Sequence, residues 1–185
     1  IFTAVPLGII ASKRRHLGSG ILVAVSAIQT VPALALLVLL IKPLSYLGLS
    51  GIGDTPAMIA LFFYSLMPIV RNTLSGLQQI PQSLIETSEV LNLSAATKLK
   101  KIELPMALPS ILSGIKIALV LNVGFATIGA LVGAGGYGQP ILTGIRLDDY
   151  GLILEGALPA TALALVCQWG FDLLEKKIVS PGLRL

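Results

Sequence analysis

Five apolar stretches, set apart by short polar or basic ones, organise the chain. They are Ile1 to Ala11, Ile21 to Ile41, Pro56 to Val70 with a tail toward Ser75, an uncharged run between Lys116 and Arg146 that starts nearer Pro105, and Leu152 to Phe171. None alternates apolar and polar residues as a barrel strand does over about ten positions. Ile21 to Ile41 is 21 residues without a charge, and about 20 apolar residues cross a hydrocarbon core of roughly 30 Å as a helix. Backbone groups in lipid must be satisfied within the segment, which a helix achieves. The pattern predicts an all-α, polytopic bundle of about five spanning helices, forming one transmembrane domain over 1–185. Pro32, Pro68 and Pro159 interrupt three of the stretches. Each is expected to free a carbonyl and bend its helix. The chain opens at Ile1 inside an apolar stretch, and the expectation is that N-terminal residues are missing.

Composition strengthens the membrane reading. Charged residues make up 12% of the chain, hydrophobic residues 55%, and mean hydropathy is +0.90. Soluble domains carry about 25% charged residues; half that number leaves too little polar surface to coat a globule in water. The distribution of cations sets orientation. Lys13, Arg14 and Arg15 follow the first stretch, Arg71, Lys98, Lys100 and Lys101 lie between the third and fourth, and Lys176, Lys177 and Arg184 follow the fifth. The alternate loops, around 42–55 and 134–151, hold Lys42 and Arg146. Ten against two, with Lys116 set aside, places the first group in the cytoplasm by the positive-inside rule. That rule also accounts for the net charge of +4 without any nucleic-acid partner. Arg71 and Lys116 sit near predicted cytoplasmic ends, where long side chains reach water by snorkelling.

The loop from Ile80 to Pro105 is too polar to span and too patterned for a linker. Pro81 suits a first helical turn. Ser83 and Glu86 have capping-box spacing. Asn92 stands where a helix ends in a left-handed residue, and Ser94 is placed to cap a second helix whose apolar face would hold Ala95, Leu99 and Ile102. Pro105 then breaks the pattern and opens the next spanning segment. Glu86, the small pair Thr87 and Ser88, Asn92 with Leu93, and the closing Ile102, Leu104 and Pro105 together resemble the cytoplasmic loop of ABC-importer permeases, named for its Glu-Ala-Ala. Thr87 and Ser88 replace the alanines of that pattern and Asn92 its glycine, a mild change because both tolerate positive φ.

The resemblance implies a permease of the type I ABC-importer fold in which residues 80–105 dock, through Ser83, Glu86 and their neighbours, on a cytoplasmic ATPase. It also implies a second permease copy or a paralogue, an extracytoplasmic substrate-binding protein or fused domain, and a multi-pass location in the bacterial cytoplasmic (inner) membrane. ATP and Mg would then sit on the ATPase, with no cofactor and no catalytic site in this chain. Glu86 serves either as a cap for its own helix or as the docking residue, and both roles can coexist.

Four further stretches, Gln29 to Leu36, Pro68 to Thr73, Ile128 to Gly136 and Gly156 to Ala160, are similar to the permeases for quaternary-ammonium osmoprotectants such as glycine betaine, choline and carnitine. Methionine or sulfonate permeases are the alternative within the family. An ion-driven secondary transporter is the alternative outside it, and would need intramembrane acids, for which only Glu155 is close. A membrane-embedded enzyme would need convergent His or acidic residues inside the bundle.

Methylated ammonium groups favour aromatic cages, and the ten aromatics cluster only at Phe62, Phe63 and Tyr64, on diverging helical positions. Selection is therefore expected on the binding protein, with Gln29, Thr30, Asn72 and Asn122 as candidates for a mildly polar path; interhelical hydrogen bonding is their plainer role. Gly133, Gly135 and Gly138 match G-x-G-x-x-G but lack the strand a dinucleotide site needs, and read as an external turn or a re-entrant gate. Asp148 and Asp149 read as a solvated pair, Cys167 as a packing thiol and His16 as a loop residue.

Overall fold

A computed structural model describes residues 1–179, all of its regular elements helical. Arg184, counted above among the cytoplasmic cations, lies outside the described residues.

The first apolar stretch forms α1 (Ala4–Lys13), a ten-residue helix too short to span. The second does not form one rod. It divides into α2 (Arg15–Thr30) and α3 (Ala33–Tyr46), inclined at 98° to each other. The cause is local. Pro32 disfavours helical geometry at the residue before it, and Val31, β-branched as well, is extended at φ −71°, ψ 124°. The expected bend at Pro32 within one span over Ile21 to Ile41 is instead a full break between two helices. An uncharged run fixes the length available for crossing, not its continuity.

The third stretch is α4 (Asp54–Gln78), the central helix of the bundle. Val70 and Thr73 on it are fully buried. Its outer half packs Ala57 and Ala60 against Leu37 of α3 and Val132. Farther along, Leu66, Ile69 and Val70 meet Ala4, Val25 and Ala118. The cytoplasmic end sets Leu77 against Ala107 and Ile111. Small residues allow the close approach. A Cβ on Gly114 would stand 2.7 Å from the Asn72 Cβ and 2.8 Å from the Pro68 carbonyl oxygen. Without a hydrophobic drive between helices in lipid, contacts of this kind carry association.

Two short helices follow, α5 (Gln82–Val90) and α6 (Ala95–Lys98). A π-helical turn, Leu99–Glu103, leads into α7 (Leu104–Ile128), which closes in a 3₁₀ turn, Gly129–Val132. From Ala95 to Val132 these form one helix of 38 residues. Pro105 was expected to break the chain here, but the helix runs through it. Proline clashes with the carbonyl four residues back. The π turn widens the helix at that point, and the Leu104 N–H donates to the Leu99 carbonyl, five back. The fourth apolar run then ends earlier than its lack of charge suggests. Gly133, Gly135 and Gly136, all at positive φ, turn the chain into a separate short helix, α8 (Gly138–Leu147). The last helix is α9 (Tyr150–Ile178).

By length and hydropathy three helices can cross a membrane: α4, the Ala95–Val132 rod and α9; the bent pair α2–α3 brings the number to four. α9 is the least enclosed, with Leu158, Val166, Trp169 and Leu173 each more than 60% exposed. Such a face belongs in lipid or against another chain. Contacts sort the loops onto two ends, as the charge pattern predicts. Lys13 pairs with Glu103 at 3.1 Å, joining two regions assigned to the cytoplasm. The Gly53 N–H donates to the Val132 carbonyl at 2.7 Å, joining two assigned to the outside.

Candidate functional site

The polar loop between α4 and the long rod is an elbow of two helices. α5 begins after Pro81, which sits at φ −56°, ψ 132° as the cap residue rather than inside the first turn. That placement puts Ser83 and Glu86 within the helix, so the expected capping box does not form. The Ser83 carbonyl instead accepts from Thr87 Oγ1 at 2.7 Å, and Glu86 is exposed, its carboxylate in no ion pair among the described residues. The bend is built as the residues predict. Asn92 takes the left-handed conformation, φ 50°. Its N–H donates to the Glu89 carbonyl at 2.9 Å, and the Leu93 N–H donates to the Ser88 carbonyl at 3.1 Å. Ser88 is buried in the angle, with its hydroxyl on the Ile85 carbonyl at 2.6 Å. Ser94 then caps α6 by accepting from the Thr97 N–H at 3.2 Å. Lys98 reaches back to Glu89 at 3.3 Å and ties the two arms.

The elbow exposes apolar surface away from any spanning helix: Leu84 is 37% exposed, Leu91 63% and Val90 86%. A free carboxylate beside three exposed aliphatic side chains forms an amphipathic face of the kind that fits a groove. Ile102, Leu104 and Pro105 lie where the elbow joins the rod. Leu104 packs into the cytoplasmic cluster with Ile9, Leu77 and Ile80.

The four path candidates do not converge within this chain. Pro68 has no N–H to offer the Tyr64 carbonyl one turn back. Gln29 supplies the missing donor from α2, with Nε2 3.2 Å from that oxygen. The Tyr64 hydroxyl in turn donates to the Val31 carbonyl at the break. Thr30 bonds the Ala27 carbonyl at 2.7 Å. Asn72 donates to the Pro68 carbonyl at 2.8 Å while packing on Gly114. Asn122 differs from these. Its Oδ1 is buried without a hydrogen-bond partner among the described residues, in the wall of a cavity of about 540 Å³ that includes Ser65, Ile69 and Tyr137. Aromatic rings pair as Phe62 with Phe63 and Tyr64 with Phe125; among the described residues no third ring joins either pair.

Three features were missed in the sequence. Lys116 is ion-paired: its Nζ lies 2.8 Å from Asp172 and 3.7 Å from Glu175, pinning the rod to the cytoplasmic end of α9. Asp149 is a helix cap, accepting from the Gly151 and Leu152 N–H groups at 2.9 and 3.3 Å, and an Asp just before an apolar run is a recognised signal for that. α8 packs on α9 at Gly156, where a Cβ would meet the Ile141 side chain at 2.7 Å.

Comparison with known proteins bears on family and fold. Residues 4–180 match the family described as binding-protein-dependent transport system inner membrane component. The choline transport system permease protein OpuBB of Bacillus subtilis (strain 168) is 35% identical over 184 residues, which is 100% of this chain and 82% of the relative. The osmoprotectant import permease protein OsmW of Salmonella typhimurium is 39% identical over 184 residues, 100% of this chain and 85% of the relative. A solved structure of the MetNI methionine ABC transporter in an inward-facing conformation superposes with a TM-score of 0.84 over 97% of this chain and 87% of that one, at 24% identity, a likeness of fold.

Proposed function

Since the chain belongs to the family of binding-protein-dependent transport system inner membrane components, we propose that it is the permease subunit of an ATP-driven importer for quaternary-ammonium osmoprotectants. The solute class rests on relatives named for choline and osmoprotectants that match the chain end to end. The mechanical half rests on one observation: the exposed helix carrying Glu86 is joined, through the Asn92 bend and the Lys98–Glu89 pair, to a rod of 38 residues.

A cytoplasmic ATPase pair receives α5, with Glu86 and the aliphatic patch of Leu84, Val90 and Leu91 in its groove. Closure of the pair on ATP displaces the elbow, and the rod carries that displacement into the core it shares with α4. The bundle then alternates between outward and inward openings. Two permeases, this chain twice or with a paralogue, enclose the passage in the bacterial inner membrane, and an extracytoplasmic binding protein delivers the solute. The nucleotide and its Mg belong to the ATPase.

Glu86→Lys tests the coupling. In vesicles containing the assembled importer, uptake is expected to fall at least tenfold while membrane insertion is unchanged. Wild-type uptake by that variant overturns the coupling assignment, and uptake by the wild-type chain without any ATPase overturns the ATP-driven reading.

A further inference from the structure

A second groove, between α2 and α4, carries polar groups that the fold uses only in part. Its volume is about 420 Å³, and its walls include Leu22 and Ser26 of α2 with Met67, Arg71, Ser75 and Gln78 of α4. On α4 the spacing of three and four residues sets these side chains along one stripe. The stripe points away from Ile69, which faces the cavity beside Asn122. At its outward end are the Gln29–Tyr64 bond and the broken helix.

The chemistry of the groove is one-sided. Among the described residues the Arg71 guanidinium makes no ion pair or hydrogen bond, and the same holds for the Gln78 amide. Ser75 Oγ accepts from Gln79 Nε2 at 3.1 Å, leaving its own proton free. Ser26 has only a 3.7 Å contact to the Met67 sulfur. No carboxylate lines the walls. Arg71 stands seven residues before the cytoplasmic end of α4, where an unpaired guanidinium reaches water, so this end of the groove is open to the aqueous exit side. The guanidinium's planar fork suits a carboxylate, which it binds through two parallel N–H···O bonds. Leu22 and the polarisable Met67, with Ser26 beside the Met67 sulfur, make the other end of the groove mainly aliphatic, a wall for methyl groups without an aromatic cage. Donors at one end and soft apolar wall at the other match a zwitterion of that class, and the volume is within the range of about 300–1,000 Å³ usual for small-molecule sites.

The geometry points to the α2–α4 groove as an exit-side subsite that holds the carboxylate of a zwitterionic quaternary-ammonium solute on Arg71. Resting on the importer reading above, it assigns the passage its cytoplasmic half. Arg71 lies 17 residues into α4, roughly 26 Å along the helix from its external end. A carboxyl-free cation such as choline gains nothing from the arginine.

Equilibrium binding to the detergent-purified, nucleotide-free permease–ATPase complex, without binding protein, tests this with radiolabelled glycine betaine as probe. Saturable binding is expected, at least tenfold weaker in Arg71→Gln and partly restored in Arg71→Lys, with choline a poor competitor. Equal competition by choline, unchanged affinity in Arg71→Gln, or a difference that follows the anionic-lipid content of the sample overturns the subsite. If Arg71→Gln does not assemble, the competition between glycine betaine and choline on the wild-type complex still decides. The importer reading fails separately, when the complete wild-type system takes up none of choline, glycine betaine or carnitine.

Discussion

Single residues in the elbow hold it through backbone conformation more than through side-chain contact. Asn92 is one of two non-glycine residues at positive φ among those described. The left-handed region costs an ordinary L-residue about 1–2 kcal/mol, and asparagine less because its short polar side chain is tolerated there. Asn92→Gly is expected to leave uptake and the thermal transition of the assembled complex unchanged. Asn92→Val is expected to destabilise the elbow by roughly that 1–2 kcal/mol, lowering ATP-driven uptake with insertion intact. A valine variant indistinguishable from the glycine one would show that the bend does not depend on this residue. Position 92 was legible in the sequence because its chemistry is local. So was Ser94. Lys116 was not, because its partners Asp172 and Glu175 lie 56 and 59 positions farther along, on a helix whose placement only the fold determines.

At the level of elements, the bundle compensates the prolines that interrupt it. The Tyr64 carbonyl, freed by Pro68, is satisfied by Gln29 from the neighbouring helix. This gives a coupled pair with a defined sign. Gln29→Leu alone is expected to cost about 1 kcal/mol, the scale of an interhelical hydrogen bond in a membrane protein. In a Pro68→Ala background the restored N–H bonds the Tyr64 carbonyl within α4, and the same change is expected to cost little. A double-mutant cycle on the unfolding of the solubilised protein reads this, and additive effects would overturn it. Unbroken apolar runs without strand alternation sufficed to predict helices in all five stretches. It could not locate their joints. Val31 and Pro32 carried the signal for the α2–α3 break, but the 21-residue uncharged run argued by length for one span. The π turn before Pro105 has no sequence signature of its own. α8 was hidden because nothing charged separates it from α7, and only the glycines at 133, 135 and 136 mark the division.

For the molecule as a whole, the charge count and the contacts agree on which loops share an end, and that agreement can be tested directly. Cys167 is the only cysteine, so replacing it by serine gives a background for single reporters. A cysteine at Asp148 is expected to react with a membrane-impermeant maleimide in intact cells, and one at Gln82 only after the membrane is opened. Labelling of position 82 from outside would invert the topology and remove the elbow from any cytoplasmic partner. With that topology and an ATPase on the elbow, the continuous Ala95–Val132 helix would act as a lever. Its 38 residues measure about 57 Å at 1.5 Å per residue. A swing of about 10° at the ATPase end would sweep the far tip through roughly 10 Å, enough to open or shut a gate for a small solute with no change of secondary structure. The π turn near its base is where such a lever would flex, so the stiffness of five residues, Leu99 to Glu103, sets how much of each stroke reaches the outer end.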